Sequence, residues 1–549
     1  MIRPRRLAPE ALAFLAGLHF LAFYNIPLWR RLGEIATAGS HGGLATQAAF
    51  AVMVLAIFTL VLVLASFRWV LKPTLVVLCM ASSVVAYFML QYGVLIDKGM
   101  LLNVAETDVR EVRDLLSPQL FLTVLLLGVL PSWLILKVPL AHRPLRRELL
   151  GKAAAILASL GVLVLVALGD YQGLSSLLRN HHELRMMVVP SNYLAAMVSF
   201  AKDRLAAPAR PIAVLGADAR RAAAWAGHRR KSLTVLVVGE SARAENFGVL
   251  GYGRDTTPRL AAEDGLIAYG NVTSCGTETA VSLPCMFSNM TRAGYDANRA
   301  RQQEGLLDVI QRAGLRVTWR DNQSGCKGTC DRVAFESVRD ARVPAYCGEG
   351  ECHDEILLDG LQDYIDHLQD DAVLVLHQMG SHGPDYYKRY PKALARFGPV
   401  CASDALNACS RESIVNAYDN TIAYTDRVLG TLIDRLRANQ DKLDVAMVYV
   451  SDHGESLGEY RLYLHGTPYM LAPPQQTHVA MLAWFSPSYA QDFGLDLQCL
   501  KRSRQAAYSH DNYFHSILGL LQIETAVRDP KLDMFAACRR GGGIGPGDA

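Results

Sequence analysis

The chain has 549 residues, too many for one ordinary core, so two or more domains are expected. Its formal charge of +3 is near balance and gives no support for nucleic-acid binding. Its apolar content of 51% is high for a soluble protein, and the excess is concentrated in the first third of the chain.

Residues 11–29, 45–66, 74–92, 119–139 and 152–169 are runs of roughly 18–22 mainly apolar residues, the length that crosses a bilayer. The first is too long for a cleaved signal peptide and is followed by four more spans. Lys and Arg placement orients them. Arg3, Arg5 and Arg6 precede the first span, Arg68 and Lys72 lie between the second and third, and Arg143, Arg146 and Arg147 lie between the fourth and fifth. These segments are read as cytoplasmic, against the weaker opposing signal of Arg30 and Arg31. An odd number of spans then exports everything after about residue 170. In the loop 93–118, Asn103, Thr107 and Glu111 fall at i, i+4 and i+8, on one helical face, which by itself reads as a solvated polar face.

Residues 171–231 mix apolar, basic and proline residues and read as interfacial helix and linker. Beyond them, LTVLVVG (233–239), LRVTW (315–319), AVLVLH (372–377) and VAMVYVS (445–451) look like buried parallel strands. Helix-like stretches separate them, including SIVNAYDNTIAYTDRVLGTLIDRLRAN, which argues for an open α/β sheet with ligands at the carboxyl ends of its strands. Each strand delivers reactive side chains there. Glu240 follows the first, Lys327 lies in the loop after the second, His377 and His382 come with the third, and Asp452, His453 and Glu455 follow the fourth. Two carboxylates and an imidazole, as in Glu240, Asp452 and His453, suit zinc and would tolerate manganese.

Cys79 lies inside a span, and the other ten cysteines all follow residue 270. Cys275 with Cys285, Cys326 with Cys330, Cys347 with Cys352 and Cys401 with Cys409 have spacings that match no zinc module and are read as disulfides of an exported domain. Pairing of Cys499 with Cys538 stays open. The first bracket, TSCGTETAVSLPC (273–285), holds threonines at the start of an apolar helix, where backbone N–H groups favour an alkoxide or phosphate. These considerations do not choose between Thr277 and Thr279.

The stretches VVGESARAENFGVLGYGRDTTP, NVTSCGTETAVSLPCMFS, WRDNQSGCKG, HQMGSHGP, NAYDNTIAYTD and YVSDHGESLGE with YLHG resemble the phosphoethanolamine transferases that modify lipid A, the family of the mobile colistin-resistance enzymes. The resemblance runs over nearly the whole chain. It implies a five-helix transmembrane α domain (1–170) and a periplasmic alkaline-phosphatase/sulfatase-like α/β catalytic domain (232–537), on either side of the juxtamembrane connector 171–231, while the glycine-rich composition of 538–549 reads as a mobile tail. It also implies a zinc held by Glu240, Thr279, Asp452 and His453, with Thr279 as nucleophile. Lys327, His382 and His465 match positions near the phosphoryl group or a second zinc, and Glu455 matches an acid near the metal. Gln323 stands where relatives often carry Asn, so a phosphate contact through an amide is retained. Asn103, Thr107 and Glu111 match residues that bind the donor head group.

The implied reaction moves phosphoethanolamine from phosphatidylethanolamine to Thr279 and then to a lipid A phosphate, which lowers the attraction of cationic peptides such as polymyxin to the surface. The implied setting is a monomer in a Gram-negative inner membrane with a cytoplasmic N-terminus. A sulfatase would need a C/S-x-P-x-R motif that SLPCMFS lacks. A lipoteichoic-acid-type phosphoglycerol transferase fits the dense cysteines poorly. Transfer to another envelope glycan is the nearest alternative. A catalytically silent receptor of the same fold is disfavoured by the complete ligand set.

Overall fold

The computed structural model describes residues 6–37, 43–106, 112–113, 115–141, 143–181, 183–206, 211–348, 351–403 and 406–539. Thr107, Glu111 and the tail from 540 lie outside them. The chain divides into two compact units, residues 1–101 with 116–202, and residues 102–115 with 203–549.

The first unit is helical. It begins with α1 (Pro9–His19), continued by a π-turn to Tyr24, and α2 (Ile26–Thr37). Then come α3 (Leu44–Leu64), α4 (Leu71–Tyr92), α5 (Lys98–Glu106), which runs into the second unit, α6 (Pro118–Lys137) and α7 (Leu145–Asn180). Among the described residues α3, α4, α6 and α7 are long and apolar enough to span a membrane, and Pro9–Tyr24 with Ile26–Ala36 qualifies as a fifth element bent by 63°. The first apolar run is therefore broken rather than straight. Asn25 leaves helical geometry at φ −105°, and its buried amide donates to Phe20 O at 2.9 Å and Val189 O at 2.8 Å while accepting from Val189 N at 2.9 Å. Pro27 two residues on has no N–H to continue the ladder. α3 packs between α1 and α7.

The second unit is built on seven strands: β1 (Lys231–Gly239), β2 (Ile267–Tyr269), β3 (Arg316–Asp321), β4 (Ala334–Ser337), β5 (Ala372–His377), β6 (Leu443–Ser451) and β7 (Met481–Phe485). Their order is β2-β7-β6-β1-β5-β3-β4. β6, β1, β5, β3 and β4 are parallel, and β7 and β2 add an antiparallel edge. The central strands are apolar throughout because both faces are covered. Along β5, Val373 and Val375 face a core with Leu283, Met286, Phe514 and Ile517, whereas Leu374 and Leu376 face one with Tyr418, Leu429, Leu432 and Ile433.

The first core is closed by α8 (Thr279–Met286) and the second by α9 (Arg411–Ala438). α9 starts where Ser410 Oγ accepts from Ser413 N at 3.2 Å, a side-chain N-cap. Cys275–Cys285, Cys326–Cys330, Cys347–Cys352 and Cys401–Cys409 are bonded, Cys499 pairs with Cys538, and Cys79 is a buried free thiol.

Candidate metal and phosphoryl-transfer site

The parallel strands end side by side, so the residues that follow them converge. Glu240 comes directly after β1, and Asp452 and His453 after the neighbouring β6; all three are fully buried. Their ligand-type atoms lie within 4.8 Å of one another. His453 Nε2 is 3.3 Å from Glu240 Oε1 and 3.4 Å from Asp452 Oδ2. His453 Nδ1 bonds the Gly454 carbonyl at 2.9 Å, which leaves Nε2 with its lone pair toward the cluster.

Asp452 Oδ1 accepts from His453 N at 2.7 Å and Ser241 N at 3.2 Å. Its Oδ2 is buried and has no hydrogen-bond donor among the described residues. Burial and the adjacent Glu240 charge push Asp452 up to about 6. Burial also acts against a charge on Glu240, yet the imidazoles of His453, His382 and His465 hold it below the ordinary carboxylate range. Two buried acids, an imidazole lone pair and an orphaned carboxylate oxygen are a donor set that fits a zinc-type cation.

Thr279 opens α8, with Glu278 in extended geometry at the N-cap position. Thr279 Oγ1 donates to Glu240 Oε2 at 2.8 Å and lies 3.2 Å from His453 Nε2. Thr277 Oγ1 instead donates to the Thr467 carbonyl at 2.8 Å. The two threonines are thus separated by their partners, and the Thr279 hydroxyl is the one in the acid–imidazole cluster. Ser282, one turn along α8, donates to the Asp452 carbonyl and couples the helix to the loop that carries Asp452 and His453.

A second group adjoins the first. His453, Glu455 and His465 also bring ligand atoms within 4.8 Å of one another. His465 Nδ1 lies 2.8 Å from Glu455 Oε2, and Tyr386 donates to Glu455 Oε1. Burial disfavours the imidazolium of His465, but Glu455 beside it raises the ring to about 9. His382 is brought down to about 3 by burial, and its ring centre is 5.5 Å from that of His465.

Gln323 Nε2 donates to Glu240 Oε2 at 3.0 Å. Lys327 Nζ donates to Ser324 Oγ at 3.0 Å, and Ser324 in turn donates to Gln323 Oε1. Lys327 is thereby joined to Glu240 through two side chains. His377, which ends β5, instead bonds Asp321 Oδ1 through Nδ1 at 2.7 Å and stays outside both groups. Asn103 is half-buried on α5.

Several participants were not singled out from sequence. Tyr386 sits in the run GPDYYKRY with nothing to distinguish it from its neighbour Tyr387. Ser241, whose Oγ donates to Glu240 Oε1 at 2.7 Å, could have been suspected from its place beside the acid.

Residues 232–523 match the sulfatase family model, and residues 54–205 match the model for phosphoethanolamine transferase EptA/EptB. The fold and site thus define a membrane-anchored enzyme with a sulfatase-type domain. The chain is 42% identical over 544 residues to phosphoethanolamine transferase EptA of Salmonella typhimurium, covering 98% of this chain and 99% of that protein. It is 36% identical over 490 residues to phosphatidylethanolamine transferase Mcr-1 of Escherichia coli, covering 87% and 90%. The solved integral membrane lipooligosaccharide phosphoethanolamine transferase A (EptA) from Neisseria meningitidis superposes with a TM-score of 0.92 at 38% identity, covering 98% of this chain and all (100%) of that one. The chain belongs to the EptA/EptB family of phosphoethanolamine transferases.

Proposed function

We propose that this protein transfers phosphoethanolamine from phosphatidylethanolamine to a lipid A phosphate through a covalent intermediate on Thr279, and so confers resistance to polymyxin-type cationic peptides. The observation that carries the mechanism is the Thr279 hydroxyl, 2.8 Å from Glu240 and 3.2 Å from His453 in a buried cluster of metal-ligand type. The names of the relatives support the transferred group, the donor and the acceptor class.

Glu240, Asp452, His453 and Thr279 would hold one zinc, and His382 and His465 would border a second. Bound there, zinc would supply Lewis-acid stabilisation of charge on the phosphoryl oxygens and favour the ionised threonine.

In the first step Thr279 Oγ1 attacks the donor phosphorus. The Oγ–P bond forms and the P–O bond to diacylglycerol breaks. The threonine proton passes toward Glu240, and His465, kept charged by Glu455, is suited to protonate the departing glycerol oxygen. In the second step a hydroxyl oxygen of a lipid A phosphate attacks the same phosphorus, the Oγ–P bond breaks, Thr279 takes its proton back from Glu240, and the proton released by the attacking phosphate returns to His465. Lys327 and Gln323 contribute by fixing Glu240 and meeting phosphate oxygens. Asn103, Thr107 and Glu111 are assigned to the ethanolamine head group. The basic residues flanking the apolar runs and the bonded cysteine pairs support a cytoplasmic N-terminus and a catalytic domain, residues 232–537, in the periplasm of a Gram-negative cell.

The test pairs Thr279→Ala with Thr277→Ala. Lipid A from cells expressing the wild type should gain phosphoethanolamine by mass spectrometry, Thr279→Ala should abolish the gain, and Thr277→Ala should be far milder. Protein given donor but no acceptor should carry phosphoethanolamine on the peptide 271–292, at Thr279. Modification at Thr277 or Ser282, or near-wild-type activity of Thr279→Ala, overturns the assignment.

A further inference from the structure

Behind the site lies a buried carboxylate that the mechanism above does not use. Asp354 is fully enclosed, 3% exposed, and follows the disulfide-closed pair of short strands Cys347–Gly348 and Glu351–Cys352. Its Oδ1 accepts from Met379 N at 2.8 Å and from Asn322 Nδ2 at 2.9 Å, and its Oδ2 accepts from Gly380 N at 2.9 Å. Met379 and Gly380 lead from β5 to His382, and Asn322 precedes Gln323 after β3. One carboxylate therefore ties together the two loops that bring His382 and Gln323 to the site.

Two further contacts reinforce the same segment. Asn322 Nδ2 also donates to the Cys352 carbonyl at 2.9 Å. Glu351 pairs with Arg389, whose Nε donates to the His382 carbonyl at 2.8 Å. The Met379–Ser381 turn in turn presses on Glu240. Ser381 N donates to Glu240 O at 2.9 Å, and a Cβ on Gly380 would lie 2.6 Å from that oxygen. Asp354 is thus linked to Glu240, the partner of Thr279, through the Met379 and Gly380 N–H groups from which its carboxylate accepts, the Gly380–Ser381 peptide and the Ser381 N to Glu240 O backbone bond.

We infer that Asp354, presented by the Cys347–Cys352 hairpin, is a positioning residue for phosphoryl transfer that sets Glu240, Gln323 and His382 in register. Buried groups that orient first-contact ligands typically cost roughly 10–100-fold in activity when altered. This inference rests on the transferase reading above.

The test is Asp354→Asn in the full-length protein, which keeps the shape but turns one acceptor into a donor facing an amide. The matched control is Asp426→Asn. Asp426 is also a buried carboxylate that accepts two backbone N–H groups, Leu260 at 2.8 Å and Arg259 at 3.1 Å, between α9 and the segment before β2. Asp354→Asn should lower kcat for phosphoethanolamine transfer by roughly 10–100-fold with KM for phosphatidylethanolamine within about two-fold. Asp426→Asn should lower the melting temperature without that fall in kcat. Amide hydrogen exchange over 375–384 should quicken in Asp354→Asn and not in Asp426→Asn, a readout independent of any substrate. Unchanged kcat in Asp354→Asn, unchanged exchange over 375–384 in that variant, or an equal loss of kcat in Asp426→Asn overturns the inference. Absence of transfer by the wild type, or full activity of Thr279→Ala, counts against the proposed reaction instead and leaves the exchange result to decide the role of Asp354.

Discussion

Gly380→Ala is a sharp perturbation of the site because it adds one carbon at a place where backbone meets backbone. Gly380 has φ +55°, and a Cβ there would lie 2.6 Å from Glu240 O, 2.9 Å from Glu240 N and 3.0 Å from Glu240 Cβ. A carbon–oxygen approach normally stops at roughly 3.3–3.6 Å. The Glu240 backbone must retreat by about 0.7 Å or more, or the loop carrying His382 must. Left-handed backbone costs an L-residue roughly 1–2 kcal/mol, and overpacking adds roughly 1–3 kcal/mol. Gly360 separates the two terms, since it has φ +64° and open space around its Cβ position. Gly360→Ala should show the backbone cost alone.

For Gly380→Ala the displacement bears on Glu240, and a misplacement near 1 Å costs on the order of 100-fold in rate. The assay is the initial rate of transfer from a fluorescent phosphatidylethanolamine in detergent, with thermal melts of both variants. Gly380→Ala should lose roughly 10–100-fold in rate and melt lower than Gly360→Ala, whose rate should stay near wild type. A wild-type rate in Gly380→Ala, or an equal loss in Gly360→Ala, would refute the argument that this turn sets Glu240.

Chelation should abolish transfer, and added zinc should restore it, with elemental analysis giving about one zinc or more per active chain; full activity in metal-free protein would sink the assignment of Glu240, Asp452 and His453 as ligands. The disulfides should differ in weight. On loop length alone, Cys499–Cys538, separated by 39 residues, contributes about 4 kcal/mol, and Cys326–Cys330, separated by 4, about 2 kcal/mol. Cys499→Ser should therefore lower the melting temperature more than Cys326→Ser, and non-reducing peptide mapping should recover all five bridges.

β1, β3, β5 and β6 were legible in the sequence because strands buried on both faces read as unbroken apolar runs. The three other strands were not. β2 has three residues, the four residues of β4 are exposed, and five apolar residues such as MLAWF are indistinguishable from a helical fragment by periodicity. The acids and imidazoles at the strand ends were legible for a related reason. In a parallel sheet the residue after each strand arrives at a common edge, so local position already implies convergence.

The sequence by itself determined the apolar spans, the α/β class, the short cysteine pairs and the set of groups available for chemistry, because each depends on residues near one another in the chain. Tertiary structure decided what depends on distant partners. The first apolar run breaks at Asn25 because Val189, 164 residues away, supplies backbone groups that Asn25 bonds. Cys499 meets Cys538 because the chain between them folds back on itself. The geometry at the two threonines rests on Glu240, 39 residues before Thr279, and on Thr467, 190 residues after Thr277. Only the packed sheet brings one hydroxyl to the buried acid and ties the other to a carbonyl.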